Sequence, residues 1–238
     1  MSKQFWGVII VIVLIFVGIF ALTGKKPGSG NSSSGGANTL TQHVEGLGQD
    51  GVTLTEYGDY ECPYCGQYYP VIKQVQSEYN QQIKFQFRNF PLVSIHQNAF
   101  AGARAAEAAA MQNQFWQMHD LLYQQQDQWS QATDPTTYFK QYAQALGLKA
   151  AQFQSDYASG KVNDLINADM AEGNKLNITG TPTFFLDGKQ IQVGESVSAF
   201  ESVINAAITK KHPGATLPSS SGSSATTSTG TTSQTKAQ

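Results

Sequence analysis

The chain has 238 residues, and 15 Lys and Arg against 17 Asp and Glu give it a formal net charge of -2 at pH 7. The basic residues form no cluster, so we predict that nucleic acid is not a partner. Two cysteines are too few for a disulfide scaffold, and a chain of this length can build a core without one. Their arrangement as a single Cys-x-x-Cys therefore points to chemistry rather than reinforcement.

An uncharged apolar run, FWGVIIVIVLIFVGIFAL, occupies residues 5–22. It is long enough to cross a bilayer as a helix. The apolar region of a cleaved signal peptide is shorter, about 7–15 residues, and residues 20–23 offer no small-residue cleavage pattern. We predict a short N-terminal segment at 1–4 and an uncleaved transmembrane anchor at 5–22, with a long signal peptide as the alternative.

Two further segments are rich in Ser, Thr and Gly and lack the apolar residues that a core requires. Residues 23–42 are predicted to be a flexible linker, and residues 213–238 a disordered tail. The remaining residues, 43–212, have the size of one domain with a single core.

The first predicted strand of this domain covers residues 52–57, where apolar and polar residues alternate. It leads directly to Cys62 and Cys65, behind which apolar residues recur at helical spacing, so the Cys-x-x-Cys should open a helix. A second strand is predicted at 83–88. Such a strand–helix–strand unit favours a parallel pair of strands.

A helical block follows. Apolar residues between 97 and 125 lie near one face of a helical pattern, and further helices are predicted at 135–146, 150–157 and 162–176. Strands at 183–186 and 190–193, separated by Asp187-Gly188, then predict a hairpin before a closing helix. The predicted fold class is α/β, a mixed sheet flanked by helices with a helical insertion.

Thiol–disulfide exchange needs an accessible thiolate and a second thiol that resolves the mixed disulfide. Residues three apart on a helix are neighbours, so Cys62 and Cys65 can pair. The unpaired N–H groups at the helix start should lower the pKa of Cys62, and Pro63 fits the first turn. We predict that Cys62 is the exposed nucleophile and that Cys65 is the resolving thiol one turn further in.

The cysteine pair has two alternative interpretations: half of a zinc site, or two unconnected cysteines. A structural zinc site wants four ligands, and the histidines are dispersed without paired ligand spacing. We therefore predict no metal and no cofactor other than a redox-active Cys62–Cys65 disulfide.

The sequence resembles the DsbA-like branch of the thioredoxin superfamily over about residues 42–210. The resemblance rests on DYECPYC at 59–65, a helical insertion, and GTPTFF at 180–185, with RNFPL at 88–92 and FWQMHD at 115–120. It implies a thioredoxin-like mixed sheet and thiol–disulfide oxidoreductase activity.

The resemblance also implies roles for three residues outside the Cys-x-x-Cys. Pro182 would be a cis-proline opposite the disulfide, and Thr181 would offer backbone groups to an extended substrate. Glu56 would be a buried acid that accepts and returns the proton of Cys65. From the residues alone, Pro182 could be an ordinary turn proline and Glu56 a solvent-facing strand residue.

Tyr64 departs from the Pro-His dipeptide of the enteric oxidases, and Cys-Pro-Tyr-Cys is also the glutaredoxin tetrapeptide. A neutral tyrosine cannot stabilise the thiolate as a positive histidine can, which leaves the redox direction open. We expect a monomeric oxidase of exported protein thiols, single-pass in the cell membrane with an extracytoplasmic catalytic domain and a membrane redox partner. A reductase or isomerase using the same site, or a non-catalytic binding module, are the alternatives.

Overall fold

A computed structural model describes residues 39–218. Its five-stranded sheet has the order β1-β3-β2-β4-β5. The strands are β1 (His43–Glu45), β2 (Val52–Gly58), β3 (Ile83–Asn89), β4 (Thr183–Leu186) and β5 (Lys189–Ile191). The β2–β3 pair is parallel and the other pairs are antiparallel, so the predicted mixed sheet is confirmed. The short edge strand β1 was not predicted.

Helices cover the sheet and form the insertion between β3 and β4. They are α1 (Pro63–Glu78), α2 (Ala99–Ala110), α3 (Phe115–Gln124), α4 (Gln126–Trp129), α5 (Thr136–Ala145), α6 (Ala150–Tyr157), α7 (Gly160–Lys175) and α8 (Val197–Lys211). The largest hydrophobic cluster joins the sheet, α1, α8 and most of the insertion.

Helix α1 begins where the sequence predicts. Cys62 precedes it in an extended conformation, and Pro63 occupies the first turn, where its missing N–H leaves no hydrogen bond unmade. Cys65, Ile72 and Val75 recur on its buried face. Pro70 lies inside the helix and cannot donate to the carbonyl of Gly66 four residues earlier.

The predicted continuous helical face at 97–125 is wrong in one respect, because the structure divides it into α2 and α3. The chain turns at 111–114, where Asn113 has a φ of 60°. Asn tolerates this left-handed conformation better than most residues. The turn brings the alanine-rich α2 against α3, and this tertiary packing overrides the continuous period.

The predicted hairpin is present, but its second strand is Lys189–Ile191 rather than 190–193. Asp187 and Gly188 both have positive φ, 49° and 76°, as a tight two-residue turn requires. The strand therefore starts immediately after the turn.

A buried polar clamp consists of Thr41, Arg88, Asn89 and Asp169. The Asp169 carboxylate accepts hydrogen bonds from Thr41 N and Oγ1 at 3.0 and 2.6 Å and from Asn89 N at 3.0 Å. The Arg88 guanidinium lies 3.3 Å from it and also donates to the Thr41 carbonyl. Because these bonds bury Thr41, it belongs to the packed domain rather than to the linker predicted for 23–42.

Several predictions concern residues outside the described range. The anchor at 5–22, residues 23–38 of the linker and residues 219–238 of the tail all lie beyond it. Between residues 39 and 218, no helix combines the length and apolar character needed to span a bilayer.

Candidate active site

The candidate site lies between the end of β2 and the start of α1. Asp59 is buried in this connection, and its backbone N–H points at Cys65 Sγ, 3.5 Å away. Its carboxylate accepts from Leu92 N at 2.9 Å and contacts His96 Nδ1 at 2.7 Å. Asp59 thus fixes the segment that precedes the cysteines against the loop that follows β3.

The two cysteine side chains are free thiols in adjacent positions. Cys65 is fully buried, as predicted, but Cys62 is only 3% exposed, so its predicted exposure is wrong, while its role as nucleophile stays a prediction. The reason is Thr181, whose carbonyl oxygen lies 3.3 Å from Cys62 Sγ and covers it. Tyr64 does not share this cover, since 65% of its surface is exposed.

The environment of the two sulfurs is asymmetric. A hydrogen bond from the Cys65 thiol is the largest cause that lowers the pKa of Cys62 to about 6; the Thr181 side chain and the N–H groups of Cys65 and Tyr64 lower it further, against burial. Burial, followed by that same hydrogen bond, raises the pKa of Cys65 well above its usual value. Cys62 can therefore exist as a thiolate while Cys65 keeps its proton.

Glu56 lies on β2 and is 4% exposed, so the solvent-facing alternative does not hold. Burial, with a smaller contribution from the charge of Cys62, raises the pKa of Glu56 to about 8. Its charge in turn contributes to the raised pKa of Cys65. Such a carboxyl group holds a proton at neutral pH and can exchange it with a nearby sulfur.

The Thr181–Pro182 peptide bond is cis and lies against Cys62. An open groove of about 330 Å³ extends from this point. Its lining includes Tyr68, Thr181, Pro182, Phe184 and Ile191. The structure thus brings together Glu56, Cys62, Cys65, Thr181 and Pro182, while Pro63 and Tyr64 lie on the exposed surface of the first turn.

Sequence reasoning missed two supports of the site. His96 contacts Asp59 from the loop after β3, and Gln126 Nε2 donates to the carbonyls of Tyr60 and Cys62 at 2.7 and 2.9 Å. Gln126 is separated from Cys62 in the chain by three helices and strand β3, and nothing in its local pattern marks it. Over residues 39–218, no group of three or more His, Cys, Asp or Glu side chains is placed to hold a metal ion.

The chain matches the protein family described as thioredoxin over residues 38–206. Because the match covers most of the chain, the chain belongs to this family. The predicted membership of the thioredoxin superfamily is therefore confirmed, and the predicted DsbA-like fold agrees with the solved structures described next.

Solved structures share the fold. A thioredoxin-like oxidoreductase from Silicibacter pomeroyi DSS-3 is 25% identical, with a TM-score of 0.58, and the match covers 69% of this chain and 91% of that one. BdbD from Bacillus subtilis is 23% identical, with a TM-score of 0.62 and coverages of 70% and 92%. Wolbachia pipientis α-DsbA1 is 22% identical, with a TM-score of 0.63 and coverages of 72% and 94%.

Among curated proteins, the chain is similar to Na(+)/H(+) antiporter NhaA 3 from Salinispora tropica. The two are 34% identical over 165 residues, which is 69% of this chain but only 24% of the antiporter. The chain thus corresponds to about a quarter of the length of that relative.

Proposed function

We propose that the protein is an oxidase that transfers the Cys62–Cys65 disulfide to thiols of exported proteins. The observation that carries this proposal is the pKa of Cys62, lowered to about 6 beside a Cys65 whose pKa is raised. A stabilised thiolate is a good leaving group, so the disulfide is more readily reduced and the protein is a stronger oxidant. Values of about 7 in thioredoxin and about 3.5 in DsbA bracket that of Cys62.

The proposed reaction begins with a substrate thiolate that attacks Cys62 Sγ in the oxidised protein. The disulfide breaks, and Cys65 leaves as a thiolate that takes the proton of Glu56. A second substrate thiolate then attacks the substrate sulfur of the mixed disulfide and releases Cys62 as a thiolate. The substrate gains a disulfide and the protein keeps two reduced cysteines.

The groove beside Thr181 and Pro182 supports the choice of substrate. It is open and places backbone groups next to Cys62, which suits an extended segment of polypeptide. Since Cys62 is recessed under Thr181, a substrate must seat its cysteine in the groove before exchange occurs.

We further propose that residues 5–22 anchor the protein in the cell membrane, with a monomeric catalytic domain on the extracytoplasmic side and a membrane redox partner that re-oxidises it. The length of the apolar run supports the anchor, and the usual oxidising setting of disulfide exchange supports the location. Antiporter activity is not part of the proposal, because the similarity covers only 24% of the antiporter's length.

A redox titration of the full-length protein in glutathione buffers tests the proposal, with the Cys62→Ser variant as control. An oxidase should have a reduction potential nearer that of DsbA, about -120 mV, than that of thioredoxin, about -270 mV. A potential at the thioredoxin end would favour the reductase, and failure of the wild type to exchange at all would favour the binding module.

A further inference from the structure

Three aromatic side chains, Tyr60, His119 and Tyr123, pack together beside the candidate site and are called here the buried ring cluster. The Tyr60 and Tyr123 centroids are 5.0 Å apart, and His119 lies 5.5 and 5.0 Å from them respectively. Each of the three is at least nine-tenths buried. The cluster is therefore part of the interior rather than of the surface.

Each ring of the cluster carries a polar atom with unused hydrogen-bonding capacity. Tyr60 Oη, Tyr123 Oη and His119 Nε2 are buried and have no hydrogen-bond partner among residues 39–218. Buried polar atoms in folded proteins are nearly always satisfied, often by an internal water. Hydroxyls, water and neutral imidazole both accept and donate, so these groups can form a proton-conducting chain.

The cluster lies on the face of the sheet that carries Glu56. Residues 56 and 58 of β2 project to the same face, and a Cβ added to Gly58 would lie 3.0 Å from Tyr123 Oη. Phe87 pairs with Glu56 in the parallel register, and its ring contacts His119 at 4.9 Å between centroids. Tyr123 therefore lies on the same face of the sheet as Glu56, and after burial the charges of Cys65 and Glu56 are the next causes that raise the pKa of Tyr123.

The other end of the cluster reaches the surface through His119. Its Nδ1 lies 3.3 Å from Asp120 Oδ1, and the second Asp120 oxygen accepts from Lys73 Nζ at 3.1 Å. The side chains of Asp120 and Lys73 are 28% and 35% exposed. Burial lowers the pKa of His119, which keeps the imidazole neutral, able to accept at one nitrogen and donate from the other.

The other charged groups near the cluster are already engaged. His43 and Glu107 are 2.7 Å apart, and Glu107 also accepts from Asn89 Nδ2 at 2.7 Å. The side chain of Asp120 thus offers a path from His119 to solvent.

We propose that Tyr123, Tyr60 and His119 form a proton relay between Glu56 and Asp120 at the surface. This inference rests on the proposed function, because the relay serves the proton exchange of Cys65. When Glu56 gives its proton to the leaving Cys65 thiolate, it becomes a buried carboxylate. A proton from solvent then enters at Asp120 and passes through His119, the two hydroxyls and internal water that bridges these unsatisfied atoms, and it restores the Glu56 carboxylic acid.

The test measures the turnover rate of substrate oxidation and its solvent deuterium isotope effect in the full-length protein, with a two-cysteine peptide as substrate and glutathione disulfide to re-form the Cys62–Cys65 disulfide. Tyr123→Phe removes the hydroxyl and keeps the ring, so it should slow turnover about a hundredfold, at the low end of the usual range for acid–base catalysis. Its reduction potential should match the wild type, since the relay alters a rate and not an equilibrium. His119→Gln should act in the same direction.

Tyr142→Phe is the matched control, because Tyr142 Oη is also buried without a hydrogen-bond partner but lies on α5. It should leave the rate unchanged. In a Glu56→Gln background, Tyr123→Phe should have no further effect, because the relay acts only through Glu56.

Three outcomes would overturn the relay: a wild-type rate and isotope effect in Tyr123→Phe, equal slowing in Tyr142→Phe, or additive slowing in the double variant. A wild type without any exchange activity would instead refute the proposed function itself.

Discussion

Two buried carboxyl groups, Glu56 beside the cysteines and Asp169 in the polar clamp, occupy different environments. Asp169 is fully buried but receives hydrogen bonds from Thr41 and Asn89 and faces the Arg88 guanidinium. Burial raises its pKa, and each of these partners opposes the rise. For Glu56, burial and the charge of Cys62 both raise the pKa, to about 8.

The difference separates a structural carboxylate from a reactive one. Partners on every side fix Asp169 and join β3, α7 and the start of the domain. Glu56 is held where its charged form is unfavourable, so its proton can move near neutral pH. Variants in the clamp should therefore alter stability and leave the chemistry intact, and variants at the site should do the reverse.

The largest expected effect is the loss of exchange activity when either cysteine of the candidate site is replaced. Cys62→Ser should lose all exchange activity and form no conjugate with substrate. Cys65→Ser should still let the Cys62 thiolate form a mixed disulfide by exchange with a substrate thiol activated as a disulfide, but it lacks the thiol that would release the substrate again, so conjugates should accumulate. Non-reducing gels and mass spectrometry distinguish the two, and conjugates in Cys62→Ser alone would reverse the roles.

A substitution in the polar clamp should instead lower the stability of the fold. Asp169→Asn leaves the buried Arg88 without its counter-ion and should lower the free energy of unfolding by about 3–5 kcal/mol. Urea denaturation measures the loss. Glu172→Gln on the same helix is the control, because its partner Lys175 is 75% exposed and the pair should contribute less than about 1 kcal/mol. Exchange rates in Asp169→Asn should match the wild type. Slowed exchange would show that the clamp affects the chemistry and not only the stability.

Glu56 itself gives a prediction about pH. A carboxyl group whose pKa is near 8 in the folded protein, against an ordinary value of 4.5, binds a proton on folding, so its contribution to stability falls as pH rises between these values. Between about pH 4.5 and 6, the free energy of unfolding of the wild type should fall by about 2 kcal/mol more than that of Glu56→Gln. Reduced protein is suitable there, since Cys62 stays a thiol in both states below its pKa of about 6. Identical slopes for variant and wild type would contradict the raised pKa.

The smallest expected effect is at Tyr64. A protonated histidine there would favour the Cys62 thiolate, but the position is 65% exposed and solvent screens the charge. Tyr64→His should lower the pKa of Cys62 by about one unit or less, as followed by thiolate absorbance. Tyr64→Phe should leave it unchanged. A rise in Tyr64→His would refute the electrostatic interpretation.

Sequence patterns predicted the features that depend on near neighbours. The strand before Cys62, the helix start at Pro63 and the hairpin turn at Asp187 follow from local periodicity and backbone preference. Features formed by distant segments were not predictable in the same way. Thr181 covers Cys62 from 119 positions away in the chain, which is why the predicted exposure failed.

At the candidate site, too, local features were predictable from the sequence and features formed by distant segments were not. The residue types of the Cys-x-x-Cys suffice to predict an asymmetry between the two sulfurs, since a helix start treats its first residue differently from its fourth. The support from His96 and Gln126, by contrast, requires the insertion to be folded. The turn at Asn113 was missed because the packing of α2 on α3 decides it.

Pro70 divides α1 into a first part that carries both cysteines and a second part that packs on the core through Ile72 and Val75. With no N–H at Pro70, the backbone hydrogen bond that would tie the two parts together at Gly66 is missing. The first part can thus adjust its geometry when a bond between the sulfurs forms or breaks, while the second part stays in place. We therefore expect any rearrangement of the helix during exchange to be confined to the residues before Pro70.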